Sequence, residues 1–248
     1  IYTLSLHDAL PISVLGQLTA IVSHELRNPL GVIRSSEYYL TKKFGSDDEK
    51  TSKHLNRIEQ QVSLCDSIIG ELLEYTRGRR SAAVLGEINP WLEEILDQVS
   101  LPEQVSLVRN LAVDLPMVHF DKEKMRRVVI NLVENAIQAV LARQDIESGD
   151  SYKPWIVVRT AGTADEVRVD VQDSGIGMDR ETEARAFEPL FTTRARGTGL
   201  GLAIVRKIVQ EHEGSVSLVT RPQTGTTVTV RIPARPPEVL SEARGALA

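Results

Sequence analysis

Alternating glycines, Gly197-Thr198-Gly199-Leu200-Gly201, lead directly into a segment whose apolar residues recur at helical spacing. The first N–H groups of a helix have no partner inside the helix, and with the helix dipole they attract phosphate oxygens. Glycine lets the backbone approach an anion because it has no Cβ. The stretch lacks the Gly-Lys-Ser/Thr of a Walker loop and the spacing of a dinucleotide fingerprint. It indicates a phosphate-facing turn of another kind, or a turn that serves only packing.

Two asparagines, Asn131 and Asn135, lie one turn apart on one face of a long predicted helix. A buried amide without hydrogen bonds costs about 1–3 kcal/mol, so both side chains need partners. One interpretation is a polar bridge from the helix to a loop. The other is a hydrated Mg²⁺ with phosphate oxygens, since magnesium prefers oxygen ligands and retains water.

Asp173 ends a predicted strand, and Gly175 and Gly177 follow it in the next turn. A carboxylate held there can accept a hydrogen bond from the exocyclic amino group of adenine, while the glycines leave room for the base. A plain loop is the alternative. Thr226, which begins the last predicted strand, is a candidate for the floor of the same pocket or part of an ordinary turn.

Thr193, Arg194 and Arg196 stand immediately before the glycines. The guanidinium groups of the two arginines could clamp phosphates through planar, charge-assisted hydrogen bonds. The neighbouring aromatic residues, Phe187 and Phe191, are expected to anchor a mobile segment.

His24 and Glu25 form a second kind of candidate site near the start of the chain, with Asn28 one turn later. The apolar residues of the surrounding helical pattern place the His24 ring opposite the apolar stripe, so a core histidine is disfavoured. An idle surface histidine is the alternative. A neutral imidazole nitrogen is a nucleophile near pH 7, and an adjacent carboxylate can orient the ring or take its other proton.

Two regions of different periodicity must position these residues. Residues 13–43 and about 48–77 predict two long helices, a hairpin with more apolar surface than it can cover, which favours a dimeric four-helix bundle. Residues 78–83 predict a linker. Residues 84–234 alternate between helix and strand signals, which predicts an α/β sandwich and an α+β chain overall. Residues 235–248 read as a tail. The expected elements of the second region are helices at about 90–99, from the N-cap Asp121 to about 143 and after Gly199, and strands at 104–110, 116–120, 154–160, 166–172, 215–220 and 226–232.

Composition excludes several classes of protein. A net charge of −5 argues against a nucleic-acid binder. The single cysteine, Cys65, excludes an internal disulfide and is expected to be a small buried residue. No apolar run approaches the length of a membrane span.

Residues 1–12 resemble the translation of a sequencing-library adapter and are expected not to be native. We expect a cytoplasmic fragment whose full-length protein could be anchored to a membrane upstream of Ser13.

The string SHELRNPLGVI around His24 closely resembles the phosphoacceptor box of sensor histidine kinases. NLVENAIQA, DSGIGM, FEPLFTT, GTGLGLAIV and TGTTVTV resemble, in order, the boxes of the catalytic domain of that family, which shares its ATP-binding fold with gyrase and Hsp90. The resemblance covers essentially residues 14–234. The short segment between Phe191 and Gly197 resembles the compact-lid class of the nitrogen-regulation sensor kinases.

The resemblance implies ATP and Mg²⁺ as ligands, with Asn135 on the metal and Asn131 on phosphate or metal-bound water. It implies Asp173 on adenine, and a lid and helix start formed by Gly197, Gly199 and Gly201. Many members of the family carry lysine where this chain has Gln138, so the resemblance leaves a phosphate contact at Gln138 open, and Arg194 is the candidate replacement.

The resemblance also implies transfer of the γ-phosphoryl group to His24, a homodimer formed through the hairpin, and a response-regulator receiver domain that takes the phosphate. Glu25 is expected to act as base or ring orienter, and Asn28 to orient water for dephosphorylation of the regulator. Two alternatives remain open. One is an ATPase or a serine/threonine kinase on the same nucleotide fold, and the other is a dimeric scaffold that binds nucleotide without transferring phosphate.

Overall fold

The structure is a computed structural model that describes residues 26–27, 30–44, 49–76, 82–147, 152–194 and 197–234. The chain divides into two compact units, Ile1–Arg79 with Pro189–Leu200, and Arg80–Glu188 with Gly201–Ala248. Across the described residues, no helix combines the length and the apolar character that a membrane span requires.

The first unit contains the predicted hairpin. Its first helix, α1, covers residues 30–44, and α2 covers Glu49–Thr76. Both agree with the sequence pattern, although the beginning of the first predicted helix and the turn at 45–48 lie outside the described residues. Arg34 ties the two helices together, because its Nη2 lies 2.8 Å from Oδ2 of Asp66 and its Nε lies 3.7 Å from Oε1 of Glu59.

Among the α2 residues whose side chains the structure describes, one apolar column is buried within this unit. Leu55, Val62 and Ile69 recur every seventh residue and are 4–5% exposed. Cys65 was expected to be buried among them, and this is wrong: Cys65 is exposed, as is Ile58, at 39%. Both stand three residues after a buried position, so they form a neighbouring column that the hairpin does not cover.

The first helix leaves a similar column open. Ile33 and Leu40 of α1 are seven residues apart and are 45% and 40% exposed, and Leu26, seven residues before Ile33 and outside α1, is 47% exposed. Each helix of the hairpin therefore presents an uncovered apolar column with the spacing of a helix–helix seam. Burying such surface releases roughly 25 cal/mol per Å², so these columns favour association.

The second unit combines a mixed five-stranded sheet with packed helices. The elements are β1 Val84–Gly86, α3 Ile88–Asp97, β2 Ser106–Asn110, β3 Val118–Phe120, α4 Lys122–Ile146, β4 Trp155–Gly162, β5 Glu166–Asp173, α5 Arg180–Arg185, α6 Gly201–Glu211, β6 Ser215–Arg221 and β7 Gly225–Pro233. The strand order of the sheet is β2-β4-β5-β7-β6, with β2 parallel to β4 and the other pairs antiparallel, and β1 pairs with β3 in a separate two-stranded sheet. This confirms the predicted α/β sandwich.

Period-two alternation in β5 produces the core face of the sheet. Val167, Val169 and Val171 are buried, and their cross-strand partners in β7 are Ile232, Val230 and Val228. Apolar residues of α3, α4 and α6 complete this core; the buried ones include Leu92, Leu96, Val128, Leu132, Val133, Val205 and Val209.

Three local features differ from the sequence expectation. Helix α3 begins at Ile88, two residues before the expected start, because Pro90 is tolerated in a first helical turn. Strand β1 was not predicted, since three residues show no period. Helix α5 was also missed; it is short and buries no residue, so it has no apolar stripe to reveal it.

Candidate functional site

One ridge of α4 carries four residues at successive i+4 positions: Asn131, Asn135, Ala139 and Arg143. Residues at this spacing lie above one another on a helix surface. At 1.5 Å rise per residue the ridge extends about 18 Å along the helix. A stable N-cap fixes its start, because Asp121 Oδ1 accepts the N–H groups of Glu123 and Lys124, both at 3.1 Å. Asp121 was predicted as this cap, which is confirmed.

The Asn131 end of the ridge faces the first residue of α6. A Cβ built on Gly201 would stand 2.8 Å from Asn131 Oδ1 and 3.7 Å from Asn135 Nδ2. Asn131 Nδ2 donates to the carbonyl of Arg127 at 2.9 Å. That bond turns the amide oxygen towards the helix start, so two predicted residues, Asn131 and Gly201, are brought together. The two amide side chains therefore lie beside the start of α6, where the first backbone N–H groups of a helix are available as donors.

Asp173 is the buried carboxylate of the site, at 6% exposure. Its Oδ1 accepts the N–H of Gly175 at 2.8 Å and the N–H of Thr226 at 3.3 Å. These bonds hold one face of the carboxylate and compensate for its burial. Thr226 was predicted near this pocket, and the structure places its backbone directly on Asp173.

The two glycines after Asp173 make close backbone contacts. A Cβ on Gly175 would lie 2.6 Å from Ala139 of the ridge, and the Ile176 N–H donates to the Ala139 carbonyl at 3.2 Å. Gly177 has φ +64°, and a Cβ there would overlap the carbonyl oxygen of Arg221. The turn after β5 is thus packed onto α4 one turn beyond Asn135. Both predicted glycines are required by geometry.

A hydroxyl pair supports this turn from β6 and β7. Thr220 Oγ1 lies 2.9 Å from Thr226 Oγ1 and accepts the Met178 N–H at 2.9 Å. Both threonines are buried, at 9% and 6% exposure. Thr220 was not singled out by the sequence, because a threonine in a strand has no signature of its own.

A polar cluster behind Asp173 was also missed. Ser174, 4% exposed, accepts at its carbonyl from Arg143 Nη1 at 2.9 Å and from the Tyr152 hydroxyl at 2.8 Å. Burial raises the pKa of Tyr152 above its ordinary value of 10.0, so the phenol stays protonated and donates at neutral pH. The i+4 spacing from Ala139 to Arg143 was the available signal in the sequence.

His212 was likewise overlooked, and it joins α6 to the start of α4. The ring is 8% exposed; its Nε2 accepts the Asp121 N–H at 2.9 Å, and its Nδ1 lies 2.7 Å from the Ile208 carbonyl. These partners require a neutral ring with the proton on Nδ1. With the Lys124–Glu211 ion pair at 2.7 Å, they set where α6 lies along α4. Gly201 consequently stays opposite Asn131.

The predicted phosphate-facing segment belongs to the first unit and forms a closed loop of its own. The Leu190 N–H donates to the Gly199 carbonyl at 2.9 Å, and both residues have positive φ, +64° and +70°. Arg194 and Thr193 are exposed, while Leu200 is fully buried. The Leu200 N–H donates to Thr198 Oγ1 at 3.3 Å, and the Gly197 N–H donates to the Arg194 carbonyl at 3.2 Å.

Four predicted site residues, His24, Glu25, Asn28 and Arg196, lie outside the described residues. Gln138 is exposed on α4. Within the described ranges, no group of three or more His, Cys, Asp or Glu residues could hold a metal ion. A cation near α4 would therefore rely on amide oxygens and on the oxygens of a ligand, as the Asn131–Asn135 pair permits.

Two domain families match this chain in sequence. Residues 14–81 match the His Kinase A (phospho-acceptor) domain. Residues 120–236 match the histidine kinase-, DNA gyrase B- and HSP90-like ATPase domain, which makes the second region an ATP-binding domain. The second match includes the α4 ridge, Asp173 and the start of α6.

Curated relatives match over most of the chain. The signal transduction histidine-protein kinase AtoS of Escherichia coli K12 is 31% identical over 229 residues, 91% of this chain and 36% of the relative. The sensory histidine kinase/phosphatase NtrB of Rhizobium leguminosarum bv. phaseoli is 30% identical over 253 residues, 97% of this chain and 63% of the relative. The chain thus spans about a third to two thirds of these relatives' lengths.

Solved structures agree with the fold. Histidine kinase ThkA, crystallised in complex with response regulator protein TrrA, superposes with a TM-score of 0.65 at 30% identity, covering 92% of this chain and 64% of that one. Full-length ShkA in complex with AMPPNP has a TM-score of 0.67 at 19% identity over 87% of this chain and 45% of that one, which supports the fold. With a phosphoacceptor domain followed by an ATP-binding domain, the chain belongs to the sensor histidine kinases of two-component systems.

Proposed function

We propose that this chain is the kinase core of a two-component sensor, which binds ATP in its second unit and transfers the γ-phosphoryl group to His24. The observation that carries this proposal is the α4 ridge. It places an amide pair and a helix start at one end and the buried Asp173 with its glycine turn near the other. A nucleotide has two matching ends: its phosphates would lie at the amide pair and its base at Asp173.

The base end is assigned to Asp173. Its Oδ1 already accepts two backbone N–H groups, so the carboxylate is held in one orientation before any ligand binds. A fixed carboxylate favours a ligand that presents an amino group, as adenine does, and disfavours one that presents a carbonyl oxygen. Gly175 and Gly177 let the turn pack closely against Ala139 of α4 and the Arg221 carbonyl of β6, which fixes the backbone that follows Asp173.

The phosphate end is assigned to Asn131, Asn135 and Gly201. The residues present fit a hydrated magnesium ion, since amide oxygens are suitable ligands and the missing Cβ of Gly201 leaves space beside Asn131. Asn135 would hold Mg²⁺ and Asn131 would bind phosphate or metal-bound water. Bound Mg²⁺ would neutralise charge on the phosphates. Thr193, Arg194, Arg196, Gly197, Thr198, Gly199 and Leu200 would close over the phosphates as a lid.

The acceptor is His24. In the transfer, a ring nitrogen of His24, which we assign as Nε2, forms a bond to the γ-phosphorus as the bond to the ADP oxygen breaks. Positioning and charge neutralisation dominate such transfers. Glu25 would orient the ring or accept its other proton. Where the ATPase relatives carry a glutamate that acts as general base, this chain has Asn131. Without that base, the pocket is suited to hold ATP for phosphoryl transfer to His24 and not for hydrolysis.

Two partners complete the proposal. A second copy of the chain would cover the exposed apolar residues of the hairpin in a four-helix bundle: Leu26 before α1, Ile33 and Leu40 on α1, and Ile58 and Cys65 on α2. A receiver-domain aspartate would accept the phosphate from His24, and Asn28 would orient water for the reverse dephosphorylation. The relative NtrB is named a kinase/phosphatase, and ThkA was crystallised with a response regulator.

Labelling with γ-labelled ATP tests the transfer. We expect the purified chain to incorporate acid-labile, base-stable label that is absent from His24→Gln, with His54→Gln as the matched control on the second helix. Release of phosphate without labelled protein would favour the ATPase alternative. Acid-stable label that persists in His24→Gln would favour a serine/threonine kinase. Nucleotide binding without any label would favour the scaffold.

A further inference from the structure

We propose that Arg143 and Tyr152 are positioning residues that hold the Asp173–Ser174 turn, and that they thereby set selectivity for a purine with a 6-amino group over one with a 6-oxo group. This inference rests on the proposed function, in which Asp173 reads the base. Neither residue needs to touch the nucleotide. They act through Ser174, the residue that directly follows the base-reading carboxylate.

Each polar group of Ser174 is engaged. Its N–H donates to the Trp155 carbonyl at 3.1 Å, and its Oγ accepts the Trp155 N–H at 3.0 Å. Its carbonyl accepts from Arg143 and from Tyr152. Strand β4 therefore holds one side of the residue, and the Arg143–Tyr152 pair holds the other.

The pair is itself fixed. The guanidinium carbon of Arg143 lies 4.6 Å from the centre of the Tyr152 ring, and Arg143 Nε lies 2.8 Å from Glu147 Oε1. The Arg143 side chain is only 19% exposed. A planar cation that stacks on a ring while it donates to two acceptors has little rotational freedom. An exposed ion pair alone contributes little to stability, but Arg143 also stacks on a ring and donates to a buried carbonyl.

Two consecutive residues connect this pair to the carboxylate. Ser174 is bonded to Asp173, and the next residue, Gly175, donates its N–H to Asp173 Oδ1. Gly175 also packs on Ala139, one turn before Arg143 on the same ridge. If the Ser174 carbonyl loses its donors, the peptide that carries the Gly175 N–H is free to rotate, and the carboxylate loses part of its orientation. The Trp155 contacts remain, so the fold should survive.

Equilibrium binding of ATP and of inosine triphosphate to the full chain tests this idea. Inosine presents a carbonyl oxygen where adenine presents its amino group, so a fixed carboxylate should reject it. In Arg143→Gln and in Tyr152→Phe we expect ATP affinity to fall roughly tenfold while inosine triphosphate affinity falls less, which compresses their ratio. Arg126→Gln is the matched control, since this arginine of the same helix donates to Gln98 and should leave the ratio unchanged.

The outcomes separate the two proposals. A compressed ratio in both variants supports the positioning role. A ratio that stays at the wild-type value, whether both affinities fall together or neither changes, would overturn it, because a purely structural role does not discriminate between bases. If the wild-type chain bound neither nucleotide, the proposed function itself would be contradicted, and this inference would fall with it. Tyr152→Phe removes one hydroxyl and keeps the ring, so loss of folding cannot mimic the result.

Discussion

Gly201, the first residue of α6, stands directly against the amide oxygen of Asn131, so that a Cβ on the glycine would come within 2.8 Å of that oxygen. The contact joins the two features that define the proposed phosphate end, the asparagine pair of α4 and the start of α6. The His212–Asp121 hydrogen bond at the opposite ends of these helices keeps the contact in register.

Gly201→Ala should separate nucleotide binding from stability. The added methyl would push the Asn131 amide out of place, and because an amide at the end of a side chain can rotate away, we expect the free energy of unfolding to change by less than about 1 kcal/mol. ATP affinity should fall on the order of tenfold, measured by calorimetry with Mg²⁺ present. Gly31→Ala is the control, since nothing lies within 4 Å of its added Cβ. Equal ATP affinity in both variants would contradict the assignment of the phosphate end.

Substitutions of Asp173 should distinguish its two roles. Asp173→Asn keeps an oxygen for the N–H groups of Gly175 and Thr226, so the melting temperature should change little. The new amide N–H groups would face the adenine amino group, and ATP affinity should fall by about two orders of magnitude. Asp173→Ala removes the acceptor as well and should also destabilise the fold by about 1–3 kcal/mol. An Asn variant that binds ATP as the wild type does would show that Asp173 does not read the base.

Gly177→Ala should damage folding first. At φ +64° a side chain is strained, and here it would also meet the Arg221 carbonyl, which belongs to the backbone and cannot rotate away. We expect a loss of at least about 1–3 kcal/mol in urea unfolding. Gly70→Ala in α2 meets only the end of the Arg27 side chain at 3.9 Å and should not be destabilised. A Gly177→Ala variant of normal stability would mean that the turn packs differently.

Asp121 should make the second unit sensitive to acid. Burial by itself would raise the pKa of this carboxyl, but the N–H groups of Ala82, Lys124 and Glu123 and the Lys124 charge outweigh burial and place it below 3.8. A depressed folded-state pKa contributes stability that is complete above the unfolded value and disappears as pH falls through the folded one. Asp121→Asn should therefore flatten the loss of stability below about pH 4.

A substitution that removes the N-cap side chain measures how much Asp121 contributes to stability near neutral pH. Asp121→Ala should cost about 0.5–2 kcal/mol near neutral pH, measured by chemical unfolding. Asp179→Ala, at the exposed cap of the short helix α5, should cost less. A steeper acid transition in Asp121→Asn than in the wild type would contradict the pKa argument.

Much of the fold and of the candidate site could be predicted because it depends on local sequence patterns. The cap at Asp121, the i+4 pair Asn131 and Asn135, and the alternation of β5 each specify a structure from a few neighbouring residues. The resemblance to the sequence motifs of sensor histidine kinases predicted that these elements form one nucleotide site.

The remaining features depend on residues that are distant in the chain. Nothing near His212 indicates that its ring accepts from the Asp121 backbone, 91 residues away. The Ser174 cluster draws on α4, β4 and Tyr152 together. For Cys65, helical spacing alone led to a wrong prediction of burial. Among the described residues of α2, Leu55, Val62 and Ile69 are buried within the hairpin, while Ile58 and Cys65 are exposed.

The central claim is that ATP bound in the second unit phosphorylates His24, and its most direct measurement is mass-spectrometric mapping of the phosphorylated residue under alkaline conditions. After incubation of the purified chain with Mg²⁺-ATP, we expect one phosphoryl group on the peptide containing His24. We expect none in Asp173→Ala or in a reaction without ATP. Phosphate on any other residue, or an equal yield in Asp173→Ala, would contradict this claim.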